Sequence, residues 1–212
     1  MTALLGIDLT ASEKRASTFA ALDGNGRFLD MGFARTDDDI LDTVRRFDAS
    51  LVGIDSPLGL PQGYCCLEES CDCGPTAGAP GRSAERALSK AGIPLFWTTK
   101  RSIIKKMVYR GMSLAEGLEV EGRQVLEVYP YGAKVRLWGR RMPKKSTPEG
   151  LDFLIGRVAE LIPGVSQTRT NLDHDLCDAL LAAYTVYLLT QDKTEAFGAV
   201  EERQILLPAA GL

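Results

Sequence analysis

Apolar and polar positions follow two patterns along this chain. Short runs rich in Leu, Val and Ile are bounded by turn residues, while longer stretches repeat their apolar positions every three to four residues. The first pattern predicts buried strands and the second predicts helices. Two of the short runs end alike, as Leu4-Leu5-Gly6-Ile7-Asp8 and Leu51-Val52-Gly53-Ile54-Asp55. A carboxylate closing a buried strand is partly desolvated and needs a compensating partner. Side chains alternate along a strand, so Gly6 shares a face with Asp8 and Gly53 with Asp55. That face is expected to be open beside each acid, with room for an ion, a substrate or a crossing helix.

The same patterns order the remaining elements. Ser17–Leu22 and Arg27–Ala34 flank Asp23-Gly24-Asn25-Gly26 and read as a hairpin. Three aspartates at 37–39 open a helix with Ile40, Leu41, Val44 and Phe47 on its apolar face, which leads into the strand ending at Asp55. A Gly/Pro-rich loop follows over about 57–81, then helical stretches near Arg82–Ala91 and Arg101–Arg110, a strand at Gln124–Tyr129 and a helix after Thr147-Pro148-Glu149. Gln204–Leu207 reads as a last edge strand. The expected architecture is α/β, with a mixed five-stranded sheet of three antiparallel strands and then parallel ones, flanked by helices.

A third acidic cluster opens the last long helix. Asn171-Leu172-Asp173-His174-Asp175-Leu176-Cys177-Asp178-Ala179 runs into an apolar stretch reaching Leu189. A helix apolar nearly all round is expected to lie buried against the sheet. Asp175 and Asp178, three residues apart, share one face of it. Two adjacent buried carboxylates repel unless a cation lies between them. Asp173 is the expected N-cap, and Asp175 falls in the first turn, where the helix dipole favours an acid. Neither effect accounts for Asp178. His174, the only histidine, is placed either to shuttle protons or simply to pack at the helix start.

Composition narrows the class. At 212 residues and 45% hydrophobic, the chain has the length for one domain with a sizeable core, 1–212, into which the loop at about 57–81 is inserted. No stretch is long and apolar enough to cross a membrane, and no apolar leader is evident at the N-terminus, so a cytoplasmic protein is expected. The net charge of −3 argues against indiscriminate nucleic-acid binding, yet twelve Lys/Arg stand against four Glu between Lys100 and Lys145. A basic surface for an anionic partner beside an acidic pocket is one reading, and solvated helix faces the other. Four of the five cysteines, Cys65, Cys66, Cys71 and Cys73, lie inside the loop. An odd number suits a reducing compartment, and four thiolates could staple a long loop around one Zn²⁺; reduced, unliganded thiols are the alternative.

The phrases Gly6-Ile7-Asp8, Gly53-Ile54-Asp55-Ser56-Pro57-Leu58-Gly59-Leu60-Pro61, Glu127-Val128-Tyr129-Pro130 and Asp173-His174-Asp175-Leu176-Cys177-Asp178-Ala179, in this order, resemble an uncharacterised family of predicted nucleases with the ribonuclease H-like fold. The Asp-x-x-Asp-Ala pattern is also similar to the last helix of RuvC-type resolvases. The resemblance implies a nuclease that hydrolyses phosphodiester bonds with two Mg²⁺ or Mn²⁺ ions, Asp8 bridging both, Asp55 holding one, and Asp175 and Asp178 the other. Glu127 would join them as a ligand or a base, although alternation puts it on one side with Val125 and Tyr129 and leaves its face open. Arg82 and Glu85, one turn apart, match an Arg-x-x-acidic pattern associated with the family, so Arg82 would reach toward substrate, an ordinary surface ion pair being the alternative. Lys134, Arg140, Arg141, Lys144 and Lys145 would meet nucleic acid, DNA or RNA. Against the enzyme stands an inactive nucleic-acid or protein-binding module on the same fold.

Overall fold

The computed structural model describes residues 3–75 and 78–212. Seven strands form one sheet: β1 (Leu4–Asp8), β2 (Ser17–Leu22), β3 (Phe28–Ala34), β4 (Leu51–Asp55), β5 (Gln124–Val128), β6 (Thr194–Phe197) and β7 (Ile205–Pro208). They lie in the order β3-β2-β1-β4-β5-β7-β6. The first three are antiparallel, β4, β5 and β7 continue parallel to β1, and β6 reverses the direction at the far edge. The mixed sheet is the one expected, with seven strands in place of five. Thr194-Glu195-Ala196-Phe197 carries too little apolar signal to be read as a strand, and by pairing outside β7 it makes Ile205–Pro208 an interior strand rather than the edge.

Six helices cover the sheet: α1 (Asp37–Arg46), α2 (Ser83–Lys90), α3 (Lys105–Val120), α4 (Pro130–Trp138), α5 (Pro148–Leu161) and α6 (His174–Thr190). One face carries Leu5, Ile7, Val52 and Ile54 against Ile40 and Val44 of α1 and Leu114 and Leu118 of α3. The other carries Leu4, Ala20 and Leu22 against Leu154 and Val158 of α5 and Leu176, Leu180 and Ala183 of α6. Each large side chain so buried contributes roughly 1.5–3 kcal/mol. Helix α4 escapes the periodicity argument because it starts without a loop, Pro130 at its first turn directly after the strand.

The two glycines beside the aspartates have a steric reason. A Cβ on Gly6 would stand 2.1 Å from the Ala183 amide nitrogen and 2.3 Å from the Ala179 carbonyl oxygen, and one on Gly53 would stand 2.6 Å from a Val186 methyl. Of the three occupants expected for the open face, the crossing helix is the one that fills it. Backbone contact between β1 and α6 requires Gly6, and it brings the start of α6 alongside the ends of β1 and β4.

Candidate active site

Parallel pairing sets Asp8 directly beside Asp55, just as it sets Gly6 beside Gly53. Asp173 caps α6 by accepting a hydrogen bond from the Leu176 amide at 2.8 Å, worth about 1 kcal/mol. The cap starts the helix so that Asp175 and Asp178 face the strand ends. Asp8, Asp55, Asp175 and Asp178 thus line one cavity of about 450 Å³, together with Thr10, Arg15, Met107 and Lys145.

The four acids are unequally compensated. Asp178 is buried and takes ion pairs from Lys134 and from Lys145, the latter at 3.1 Å. Asp175 is paired with the exposed Arg15. Among the described residues, no hydrogen bond or ion pair reaches the Asp8 or Asp55 carboxylate. Burial, followed by repulsion from Asp178 and Asp175, pushes Asp8 up to about 7. Burial, then Asp8 and Asp178, holds Asp55 well above the ordinary carboxylate range. Burial works against the Lys145 ammonium, but Asp178, Asp8 and Asp175 outweigh it and raise its pKa.

This donor set suits a hard divalent cation, which takes carboxylate oxygens and relieves their mutual repulsion. The aspartates do not form a ready cage, however. Ammonium groups occupy the place beside Asp178 where positive charge is needed.

Glu127 and Arg82 belong elsewhere, which corrects both expectations. Glu127 pairs in register with Ile54, one residue out of step with Asp55, so it points to the opposite face of the sheet. There it receives the Arg82 guanidinium through two nitrogens, at 2.5 and 2.6 Å, and the Leu58 amide at 2.8 Å. Arg82 is 0% exposed and also donates to Glu85 at 3.0 Å, so it cannot reach a substrate and is no surface pair. Burial alone would lower its pKa, but Glu127 and Glu85 outweigh that and raise it. A bidentate arginine pair of this kind is structural.

The basic residues separate similarly. Lys134 is buried on Asp178 rather than free for substrate. Arg140 is exposed and donates to the Ala91 carbonyl, while Arg141 and Lys144 are exposed. A second cavity, of about 250 Å³, adjoins the first: Lys134, Arg140, Lys144, Lys145 and His174 line it, with Tyr131, Trp138 and Phe153 as walls. His174 Nδ1 is buried there and has no hydrogen-bond partner among the described residues. Sequence reasoning missed Arg15, because only the fold brings it to Asp175. It also missed the aromatic walls, whose one signal is the run of Tyr131 and Trp138 among basic residues.

A separate group lies in the loop. Cys65, Cys66, Cys71 and Cys73 are free thiols that place four sulfurs within 4.8 Å of one another, an arrangement able to hold a metal ion.

Comparison with known proteins adds three findings. No curated protein matches the chain. The solved structure of Thermus thermophilus RuvC is similar at 14% identity over 90% of this chain and 97% of that one, with a TM-score of 0.44. The family described as protein of unknown function, DUF429, matches residues 6–203, from within β1 to just before β7, and the chain belongs to that family.

Proposed function

We propose that this protein is a single-domain nuclease that hydrolyses phosphodiester bonds with divalent ions at Asp8, Asp55, Asp175 and Asp178. The observation that carries the reading is the pair of adjacent, half-buried and unpaired carboxylates Asp8 and Asp55 facing two more acids on α6. Structural carboxylates acquire partners, as Glu127 has. Bound there, Mg²⁺ or Mn²⁺ would supply Lewis acidity and an activated water. Asp8 and Asp55 would hold that charge from the sheet, and Asp175 and Asp178 from the helix. Lys145 lines both cavities, so its ammonium is placed to leave Asp178 and meet a phosphate. Lys144, Arg140 and Arg141 extend the positive surface for the backbone, and Trp138 and Phe153 offer faces on which bases stack. The zinc suggested by the cysteines takes no part in hydrolysis, and the free, uneven thiols suit a reducing cytoplasm.

A second reading has one observation in its favour. Lys134 and Lys145 already neutralise Asp178, which is how an inactive binding module could retain the fold. Single-stranded, duplex, branched and hybrid substrates assayed with Mg²⁺ or Mn²⁺ and chelator controls separate the two. The nuclease reading expects Asp8→Asn to abolish cleavage while binding is kept or strengthened, because a ligand and a repelling charge are removed together. Charge reversal of Arg140, Arg141, Lys144 and Lys145 to Glu should weaken binding and flatten its salt dependence. Salt-dependent binding without cleavage that Asp8→Asn removes would select the binding module.

A further inference from the structure

Among its described residues, the 57–81 loop has almost no secondary structure to hold it. Within it, the described backbone closes isolated turns at Tyr64 to Pro61, Cys71 to Glu68 and Gly78 to Pro75. Its two ends are pinned to buried acids: the Leu58 amide donates to Glu127, the Gln62 amide to Glu202 at 2.7 Å, and Arg82 and Ser83 at the far end bond the same two carboxylates. Between these ends one apolar anchor remains. Leu67 is fully buried, and its amide donates to the Tyr109 hydroxyl on α3 at 2.7 Å. Ordering so long an irregular segment costs about 1–2 kcal/mol of backbone entropy per residue, far more than one leucine returns.

The cysteines flank that anchor, Cys65 and Cys66 before it and Cys71 and Cys73 after it. Their sulfurs lie within 4.8 Å of one another, with Cys65 Sγ and Cys71 Sγ 3.5 Å apart and no disulfide between any pair. Four thiolates about 2.3 Å from a tetrahedral ion stand about 3.8 Å from each other. Sulfurs this close enclose a single ion, whereas an iron–sulfur cluster with inorganic sulfide holds its cysteines further apart. Positive charge to offset the thiolates is also at hand. The Lys100 ammonium donates to the Cys71 carbonyl and lies 5.7 Å from the Tyr64 ring centre.

We propose that Cys65, Cys66, Cys71 and Cys73 bind one Zn²⁺ that closes the loop around Leu67 and holds it against the start of α3. All four positions are protein sulfur, which leaves no open site for a water or substrate, so the ion is structural. The staple also bears on the cleft, because the same turn of α3 carries Met107, a wall of the acidic cavity whose carbonyl accepts a hydrogen bond from the Ser56 hydroxyl at 3.0 Å.

The test is metal content of full-length protein purified without chelator, in the wild type, Asp8→Asn, and Cys71→Ser with Cys73→Ser. The expected result is one equivalent of zinc in the wild type and in Asp8→Asn, and less than a tenth of that in the double serine variant. Substituting cobalt should give the intense visible absorption of tetrahedral thiolate coordination. Removing zinc should open the 57–81 loop to proteolysis before the rest of the chain. Substoichiometric zinc with all four loop thiols freely titratable, disulfides among them, or iron in place of zinc would each overturn the proposal. Because Asp8→Asn leaves the cysteines intact, failure here is independent of whether the protein cleaves nucleic acid.

Discussion

Two buried acidic clusters lie on opposite faces of the same sheet, and they are finished differently. Around Arg82, the carboxylates of Glu85 and Glu127 are met by the guanidinium, by the Thr98 amide at 2.9 Å and by the Leu58 amide, so each carboxylate has donors from within the chain. Around Asp8, two carboxylates have no partner among the described residues and a third is shared between two lysines. Burial is common to both. What differs is whether each carboxylate finds a partner within the chain, and under the proposed function that difference separates a cluster that holds the structure from one that would take an ion.

The most damaging way to probe this contrast is to unbalance the satisfied cluster. Arg82→Met leaves Glu85 and Glu127 buried without a cation and releases one end of the loop. Breaking a buried pair from one side typically costs about 3–5 kcal/mol. Urea unfolding should show that loss as a lower midpoint with an unchanged slope. A loss under about 1 kcal/mol would mean that the cluster is not holding the fold.

The unsatisfied cluster predicts the opposite sign. The Asp8 carboxyl is pushed up to about 7 from 3.8, first by burial and then by Asp178 and Asp175. The folded protein therefore keeps a proton that the unfolded chain gives up at lower pH. The Asp8 contribution to stability is therefore greatest below about 3.8 and declines as pH rises toward 7. Asp8→Asn removes that dependence. In chelator at pH 8 it should be more stable than the wild type by on the order of 2 kcal/mol, with the difference fading near pH 4. A destabilised Asp8→Asn at pH 8 would show that Asp8 has a structural partner after all.

How much of this contrast is legible in the sequence depends on which interactions are local. The alternation in Leu4–Asp8 and Leu51–Asp55 is local, and it places both acids on the face where α6 arrives. The cap at Asp173 is local too, and it fixes the phase of Asp175 and Asp178. Glu127 is not local in this sense. Alternation leaves two faces open to it, and only its register with Ile54 decides between them. Arg82 reads as a surface or substrate arginine because nothing nearby reveals that the Glu127 carboxylate and the Glu202 carbonyl, far along the chain, converge on it. The glycines were rightly read as marking space, although the occupant, α6, follows from packing alone. Strand β6 escaped because four residues carry too few positions to show a period, whereas β7 is legible as Gln204–Leu207 and only its interior place in the sheet, set by β6, is not.

A smaller effect sharpens the comparison from the ligand's side. If the open carboxylates take a divalent ion, Mg²⁺ or Mn²⁺ at ten times its dissociation constant should stabilise the fold by about 1.4 kcal/mol. The gain should be larger at pH 8 than at pH 5, because protons compete for Asp8 and Asp55 as the pH falls. It should vanish in Asp8→Asn. Thermal unfolding with and without the ion measures it. An equal gain in Asp8→Asn would place the ion somewhere other than this cluster.

The smallest expected effect concerns Lys145, which distinguishes a charge that belongs to the fold from one that only stands in. Its side chain is 61% exposed, whereas that of Lys134 is 9% exposed on the same carboxylate. A largely exposed pair contributes little, so Lys145→Gln should change stability by less than about 1 kcal/mol. Its influence on the ion should be clearer. The Lys145 ammonium rests on Asp178 and feels Asp8 and Asp175, so it competes with any cation entering the cavity. Removing it should tighten Mn²⁺ binding several-fold by calorimetry, while nucleic-acid binding weakens because the same ammonium also faces the basic cavity. Weaker Mn²⁺ binding in Lys145→Gln would mean that the lysine organises the acids rather than displacing an ion from them. The Asp8 cluster would then be completed internally, like the Arg82 cluster, and the contrast between the two faces of the sheet would collapse.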